Sequence, residues 1–154
     1  MRRLFKSLRK DERGLATVEL ALSATMLSIM VAGIADLSLA YSRKLALEQA
    51  AQRAIEKQMQ TTGEDTPEGT LKSEAIAQAG GGLTADKITV TYTRYCDGVK
   101  RNTYLSDRCV APQITTRYLA IQIYDDYTPI LPITFGTLVD GKYRVRAQAG
   151  VRIQ

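Results

Sequence analysis

Residues 14–41 read GLATVELALSATMLSIMVAGIADLSLAY, and this stretch decides the fold. It holds two charged side chains, Glu19 and Asp36, and the 16 residues from Leu20 to Ala35 carry no charge. A membrane-spanning helix needs about 20 mostly apolar residues. Glu19 and Asp36 would lie about 25 Å apart along such a helix, which allows one acid near each interface. The stretch therefore predicts one transmembrane segment, over residues 15–42.

The basic leader in front of this segment predicts its orientation. Residues 1–13 hold six basic and two acidic side chains, a net charge of +4, whereas the remaining 141 residues hold 15 basic and 14 acidic ones. The positive-inside rule then keeps the N-terminus in the cytoplasm and exports the C-terminal part. The nearly neutral remainder argues against a nucleic-acid partner.

Two other interpretations of the apolar stretch stay open. A cleaved secretory signal peptide shares the basic start, and Ser38-Leu39-Ala40 is an acceptable cleavage site. Against it, the stretch is longer than a usual signal and carries Glu19 at its start. A buried core helix would need cover on all sides, which a chain of 154 residues can hardly provide.

The composition argues against catalysis. The chain has no His and only two Cys, which excludes zinc clusters that use His and the Ser-His-Asp and Cys-His catalytic sets. We expect no catalytic residue, no metal site and no cofactor. Asp125-Asp126 is a dense carboxylate pair; a turn at a strand end is the preferred interpretation, and calcium binding is the alternative.

Beyond the span, the pattern predicts an α+β head. Residues 43–60 continue the helix, and residues 61–154 form the head. Leu47, Ala51, Ile55 and Met59 repeat at four-residue spacing and are expected to face a core. The sequence Thr66-Pro67 predicts the start of a short helix that runs through Ile76 and ends at Gly80-Gly81-Gly82.

Three later segments alternate between apolar and polar residues, which predicts strands of an antiparallel sheet with one dry face. The apolar positions are Ile88, Val90 and Tyr92; Leu119, Ile121 and Ile123; and Tyr143, Val145, Ala147, Ala149 and Val151. The exported half of the long helix is the natural cover for that face. The Arg row on the last strand is expected to be solvated, with an anionic partner as the alternative.

Cys96 and Cys109 lie in the part predicted to be exported, where oxidising conditions and an even count favour a disulfide. A redox-active pair is less favoured, because catalytic dithiols are usually much closer in sequence.

Gly14, Leu15 and Glu19 carry a resemblance to a known class of signal. A basic leader that ends in Gly14 and is cut before Leu15 would put Glu19 at the fifth position of an apolar mature N-terminus. This arrangement resembles the class III signal of type IV pilins and pseudopilins. After cleavage, the new amine of Leu15 could pair with Glu19 in its own chain or in a neighbour.

Both ends of the chain resemble a narrower family. The residues from Gly14 to Leu22, the sequence Gly33-Ile34-Ala35-Asp36-Leu37 and the Tyr/Pro stretch of residues 124–132 are similar to the TadE-like family of minor pseudopilins from tight-adherence (Flp) pilus systems. The chain departs from the family at Leu20, where an aromatic residue is more usual. The resemblance implies a pilin-like fold: a long N-terminal helix, membrane-embedded in its first half, packed on a small antiparallel sheet of at least three strands, with one short extra helix.

The span also has a face suited to another helix. Small residues recur at three- and four-residue intervals and would allow close approach of a second transmembrane helix. They are Ala21, Ala24, Ser28, Ala32 and Ala35. Asp36 continues this side, and we expect it to pair with a partner helix or with a nearby cation, Arg43 or Lys44.

The resemblance implies a function in pilus assembly without catalysis. A prepilin peptidase would remove residues 1–14, and the mature protein would initiate or assemble a tight-adherence pilus with other pilins or minor pseudopilins and the inner-membrane assembly platform. It would be a single-pass inner-membrane protein in contact with membrane lipid, with a cytoplasmic N-terminus and a periplasmic head. The alternatives are a surface or pilus-tip adhesin that uses the disulfide loop, and a single-span envelope protein without a pilus role.

Overall fold

A computed structural model describes residues 13–61, 65–101, 109–130 and 140–153. Two helices precede a four-stranded sheet: α1 (Arg13–Gln60) and α2 (Glu68–Ala79), with a 3-10 turn at Ala85–Lys87 before the strands. The strands are β1 (Ile88–Cys96), β2 (Val99–Lys100), β3 (Thr115–Tyr127) and β4 (Tyr143–Arg152). The predicted α+β class, with a long first helix and one short helix, is confirmed.

Helix α1 changes its environment halfway along. Residues 14–31 are exposed, and the helix is apolar and long enough to cross a membrane by length and composition. From Leu47 onward the helix packs on α2, β3 and β4 and buries one side. The same helix therefore provides both the candidate span and the cover of the sheet.

The predicted core positions of α1 are right for Leu47, Ala51 and Ile55 but wrong for Met59, which is 67% exposed. A four-residue step overshoots a turn of 3.6 residues by about 40°. After three such steps Met59 has rotated away from the sheet. Gln58 is buried in its place, where its Oε1 accepts hydrogen bonds from the Thr66 amide at 2.8 Å and the Tyr92 hydroxyl at 3.0 Å.

Helix α2 begins one residue later than predicted and ends three residues later. Pro67 is its N-cap residue, and no side chain caps the helix. The Thr66 hydroxyl donates to the Thr61 hydroxyl at 3.1 Å, and its amide donates to Gln58 Oε1. The helix ends at Ala79, where Gly80 has a positive φ of 56° and its amide donates to the carbonyl of Ile76.

The sheet is antiparallel with strand order β2-β1-β3-β4. The β1–β2 hairpin turns through Asp97 and Gly98, both with positive φ, as in the two-residue turns that Asp-Gly favours. Strands β1 and β3 pair from Ile88 opposite Ile123 to Cys96 opposite Thr115. Strand β4 pairs with β3 and lies at the other edge of the sheet among the described residues.

The predicted alternation of the strands is confirmed by burial. Leu119, Ile121 and Ile123 are buried, while Gln122 between them is exposed. These side chains form one cluster with the buried residues of α1 and α2. Helix α1 is thus the predicted cover of the dry face, and its buried half fixes where the exposed half leaves the head.

Candidate functional site

The candidate processing residues lie in the first two turns of α1. Gly14, Leu15 and Glu19 are all exposed, and a methyl group added to Gly14 would meet no atom within 4 Å. The described residues begin at Arg13, so residues 1–12 of the basic leader lie outside them. Nothing in the described part of the head requires glycine at position 14.

The small-residue stripe lies on the exposed half of α1. Ala21, Ala24 and Ser28 are exposed and Ala32 is half-buried. The Ser28 hydroxyl donates to the carbonyl of Ala24 at 2.8 Å, and the Thr25 hydroxyl donates to that of Leu22 at 2.8 Å. Both hydroxyls are therefore satisfied within the helix, as an apolar environment requires.

Asp36 is 8% exposed and binds the end of β3. Its Oδ1 accepts hydrogen bonds from the Tyr127 hydroxyl at 2.7 Å and from the Ile130 amide at 3.1 Å. The hydrogen bond from the Tyr127 hydroxyl to Asp36 raises the pKa of Tyr127 above its ordinary value, and burial makes a smaller contribution in the same direction. Asp36 therefore ties the Tyr/Pro stretch to the last apolar turns of the candidate span.

The expected cations of Asp36 are bound elsewhere. Arg43 donates from Nε and Nη2 to Asp125 at 2.8 and 2.7 Å, and Lys44 lies 3.6 Å from Glu48. The prediction that Arg43 or Lys44 pairs with Asp36 is wrong, because the fold brings β3 against the same face of α1. Packing with a partner helix at Asp36 stays a prediction.

Arg43 is the centre of the junction between α1 and the head. Its Nη1 donates to the carbonyl of Ala79 at 2.9 Å, beside its two bonds to Asp125. At Gly81, which has a φ of 60°, a Cβ would lie 2.6 Å from that Nη1. One side chain thus joins α1 to β3 and to the C-terminal end of α2, whose carbonyls attract a cation.

Asp125 and Asp126 do not form the predicted turn at a strand end. Both lie within β3, where neighbouring residues point to opposite faces. Asp125 is buried and binds Arg43 and Lys87, whereas Asp126 accepts from Arg144 Nε at 3.0 Å. Each carboxylate is therefore taken by cations of the chain itself, which leaves no shared pair for calcium.

Asp125, Arg43 and Lys87 form a cluster, here called the Asp125 cluster, in which the pKa values of Asp125 and Lys87 are shifted. Burial raises the pKa of Asp125, but the hydrogen bonds from Lys87 and Arg43 outweigh it and bring the pKa below its ordinary value. The hydrogen bond to Asp125 raises the pKa of Lys87. Both shifts favour the charged pair in the folded head.

The predicted disulfide between Cys96 and Cys109 is present, with a Cα–Cα distance of 5.5 Å. Residues 102–108 of the enclosed loop lie outside the described residues. Around the bridge, Val99, Val110 and Ile114 are 63%, 74% and 70% exposed. The bridge joins the distal end of β1 to the segment that leads into β3.

Two polar pairs that the sequence analysis did not predict hold the head to α1: Arg43 with Asp125 and Gln58 with Tyr92. The two partners in each pair are 82 and 34 residues apart, so no local pattern encodes them. The sequence offered only weak signals: Arg43 is the first cation after the span, and Gln58 lies four residues after Ala54, on the side that α1 buries.

Comparison with known proteins places the first part of the chain. Residues 14–55 match the model of the family described as TadE-like protein. No curated protein and no solved structure matches the chain. The match covers the exposed half of α1 and most of its buried half, and ends before the head. It supports a pilin-like protein associated with a tight-adherence pilus, and through residues 14–55 this chain is similar to the TadE-like family.

Proposed function

We propose that the protein is a minor pseudopilin that initiates or assembles a tight-adherence pilus from the inner membrane. One observation carries the proposal: the TadE-like match coincides with a helix whose first half is apolar and exposed and whose second half is fixed to a head. A head alone would not need an exposed apolar helix, which costs free energy in water. Lipid or neighbouring helices would cover it.

In this proposal the N-terminus is cytoplasmic, the head is periplasmic, and a prepilin peptidase cuts between Gly14 and Leu15. The exposure of Gly14 supports access by the peptidase, since no side chain of the described residues covers that turn. The new amine of Leu15 would lie about one helical turn from Glu19 and could neutralise it in the membrane. The small-residue stripe would then contact sister subunits or the assembly platform.

The intact mass of protein recovered from membranes tests this proposal. We expect a mature N-terminus at Leu15 in the natural chain and an uncut chain for Gly14→Ala. Gly69→Ala is the matched control, because a Cβ at Gly69 also meets nothing within 4 Å but the site lies in α2. The control should be cut normally.

Piliation completes the test. Glu19→Ala should reduce piliation, and Glu19→Gln separates the charge of this residue from its shape. If neither Gly14→Ala nor Glu19→Ala changes the mass or the piliation, the proposal fails. An N-terminus near Tyr41 would instead indicate a secretory signal.

A second candidate function, an adhesin, is favoured by the exposed apolar residues around the disulfide. Val110 and Ile114 are more than two-thirds exposed, and such residues in a group often contact a partner. If Val110→Ser with Ile114→Ser abolishes surface adhesion and leaves piliation intact, the adhesin function gains; unchanged adhesion removes it.

A further inference from the structure

Two neighbouring grooves run between α1 and strand β4, and they differ in polarity. The first has a volume of about 520 Å³ and contains apolar side chains of α1, namely Leu37, Ala40 and Tyr41, opposite Val145. The second, of about 700 Å³, is lined by Glu48, Gln122 and Gln148. Both volumes lie in the range of small-molecule sites.

Three cations line both grooves: Lys44, Arg144 and Arg146. Arg146 makes no ion pair with any residue in the described part of the chain. Arg144 uses its Nε for Asp126, and Lys44 has only a long, half-exposed pair with Glu48. The cations therefore retain donors for an anion.

The two grooves follow each other along α1 in the same order as the acyl chain and the headgroup of a lipid. The apolar groove begins at Leu37, two residues after the charge-free run of the candidate span, and the polar groove reaches Glu48. These two residues lie about 16 Å apart along the helix. Polarity thus rises with distance from the membrane, as it does from acyl chain to headgroup.

Residues at one end of the sheet also indicate that the cations lie at the level of the lipid headgroups. Tyr127 of β3 and Tyr143 of β4 are paired at the end of the sheet nearest Asp36. Tyr143 directly precedes Arg144. Tyrosine and arginine are the side chains that anchor proteins at a membrane interface. The cation-bearing end of β4 is therefore at the level of the headgroups when the first half of α1 is in the membrane.

We propose that the two grooves together form one cleft that binds a single anionic phospholipid. Its acyl chain lies along Leu37, Ala40 and Tyr41, and its phosphate lies among Lys44, Arg144 and Arg146. The inference rests on the membrane anchor of the proposed function. It adds a lipid site that orients the head on the membrane surface.

Lipid retained from nanodiscs tests the proposal. The full chain is placed in discs of equal parts phosphatidylcholine and phosphatidylglycerol, and the lipids that stay bound are counted by native mass spectrometry. We expect phosphatidylglycerol to predominate. Arg146→Gln should lower that preference about fivefold, and Arg144→Gln with Arg146→Gln should lower it further.

Arg152→Gln is the matched control, since Arg152 is an exposed cation of the same strand at its other end. It should leave the preference unchanged. Equal retention of the two lipids by the natural chain, or a preference that survives the double substitution, would overturn the proposal. So would displacement of phosphatidylglycerol by inorganic phosphate, which indicates a free-anion site, or dimers that disappear with Arg146→Gln, which indicate a second copy in the cleft.

The nanodisc experiment distinguishes a failure of the proposed membrane anchor from a failure of the proposed lipid site. A chain that does not enter discs of phosphatidylcholine alone contradicts the anchor. A chain that enters them but shows no preference for phosphatidylglycerol contradicts the lipid site alone.

Discussion

At the scale of single residues, Asp125 shows how a carboxylate can fix the relation between helix and head. It accepts from Arg43 and Lys87, and the side chains of Asp125 and Arg43 are only 13% and 17% exposed. Removal of one partner from a buried pair leaves the other charge uncompensated, which costs far more than an exposed pair gains. The neighbouring Asp126 pairs with Arg144 at an exposed position and provides a matched comparison.

We therefore predict that Asp125→Asn lowers the free energy of unfolding of the head by about 3 kcal/mol. Asp126→Asn, the same chemical change one residue away, should lower it by at most about 1 kcal/mol. The measurement is thermal unfolding of the full chain in detergent, monitored by circular dichroism. Equal effects of the two substitutions would show that the Arg43 contact does not stabilise the junction.

At the scale of elements, the carboxylate of Asp36 connects the end of β3 to α1. Because it accepts the Ile130 amide directly, Asp36→Ala should expose that amide to solvent exchange. A hydrogen bond to a charged group is worth roughly a tenfold change in the opening equilibrium. We predict about tenfold faster hydrogen exchange at Ile130, measured by NMR on the full chain in detergent.

Tyr124→Phe is the control for this experiment. Tyr124 is a partly exposed tyrosine of the same strand whose ring lies 5.8 Å from the guanidinium of Arg144. Its substitution should leave the exchange at Ile130 unchanged. Protection of Ile130 that persists in Asp36→Ala would mean that the segment is held by other contacts.

The elements themselves were largely predictable, because each is encoded by a local period. The alternation around Ile121 and the four-residue spacing from Leu47 placed strand and helix correctly. The same rule failed at Met59, since a four-residue spacing follows one helix face for only a few turns.

The contacts that orient the elements were not predictable in this way. Asp36 meets Tyr127 across 91 residues, and Arg43 meets Asp125 across 82. A pattern of apolar residues states which face is buried but does not identify the side chain that will be opposite. For this reason the sequence offered a partner helix, Arg43 or Lys44 as the partner of Asp36. It did not predict that Tyr127 would bind Asp36 or that Asp125 would bind Arg43.

At the scale of the whole molecule, the Asp125 cluster predicts how the stability of the head depends on pH. The pKa of Asp125 is lowered in the folded state, so its contribution is complete above its unfolded pKa of about 3.9 and is lost as the pH falls through the folded value. The pKa of Lys87 is raised. Its contribution is complete below about pH 10.4 and is lost as the pH rises through the folded value.

We predict a plateau in the midpoint of thermal unfolding between about pH 5 and pH 10 for this pair, with a decline on both sides. Asp125→Asn should differ most from the natural chain on the plateau, and the difference should shrink as the pH falls below about 3.9 and through the lowered folded pKa of Asp125, where the natural chain also loses this charge. Lys87→Gln should remove part of the decline above pH 10 and retain the acid decline that Arg43 still supports. If Asp125→Asn and the natural chain differ equally from pH 3 to pH 7, the ion pair is not what joins the candidate span to the head.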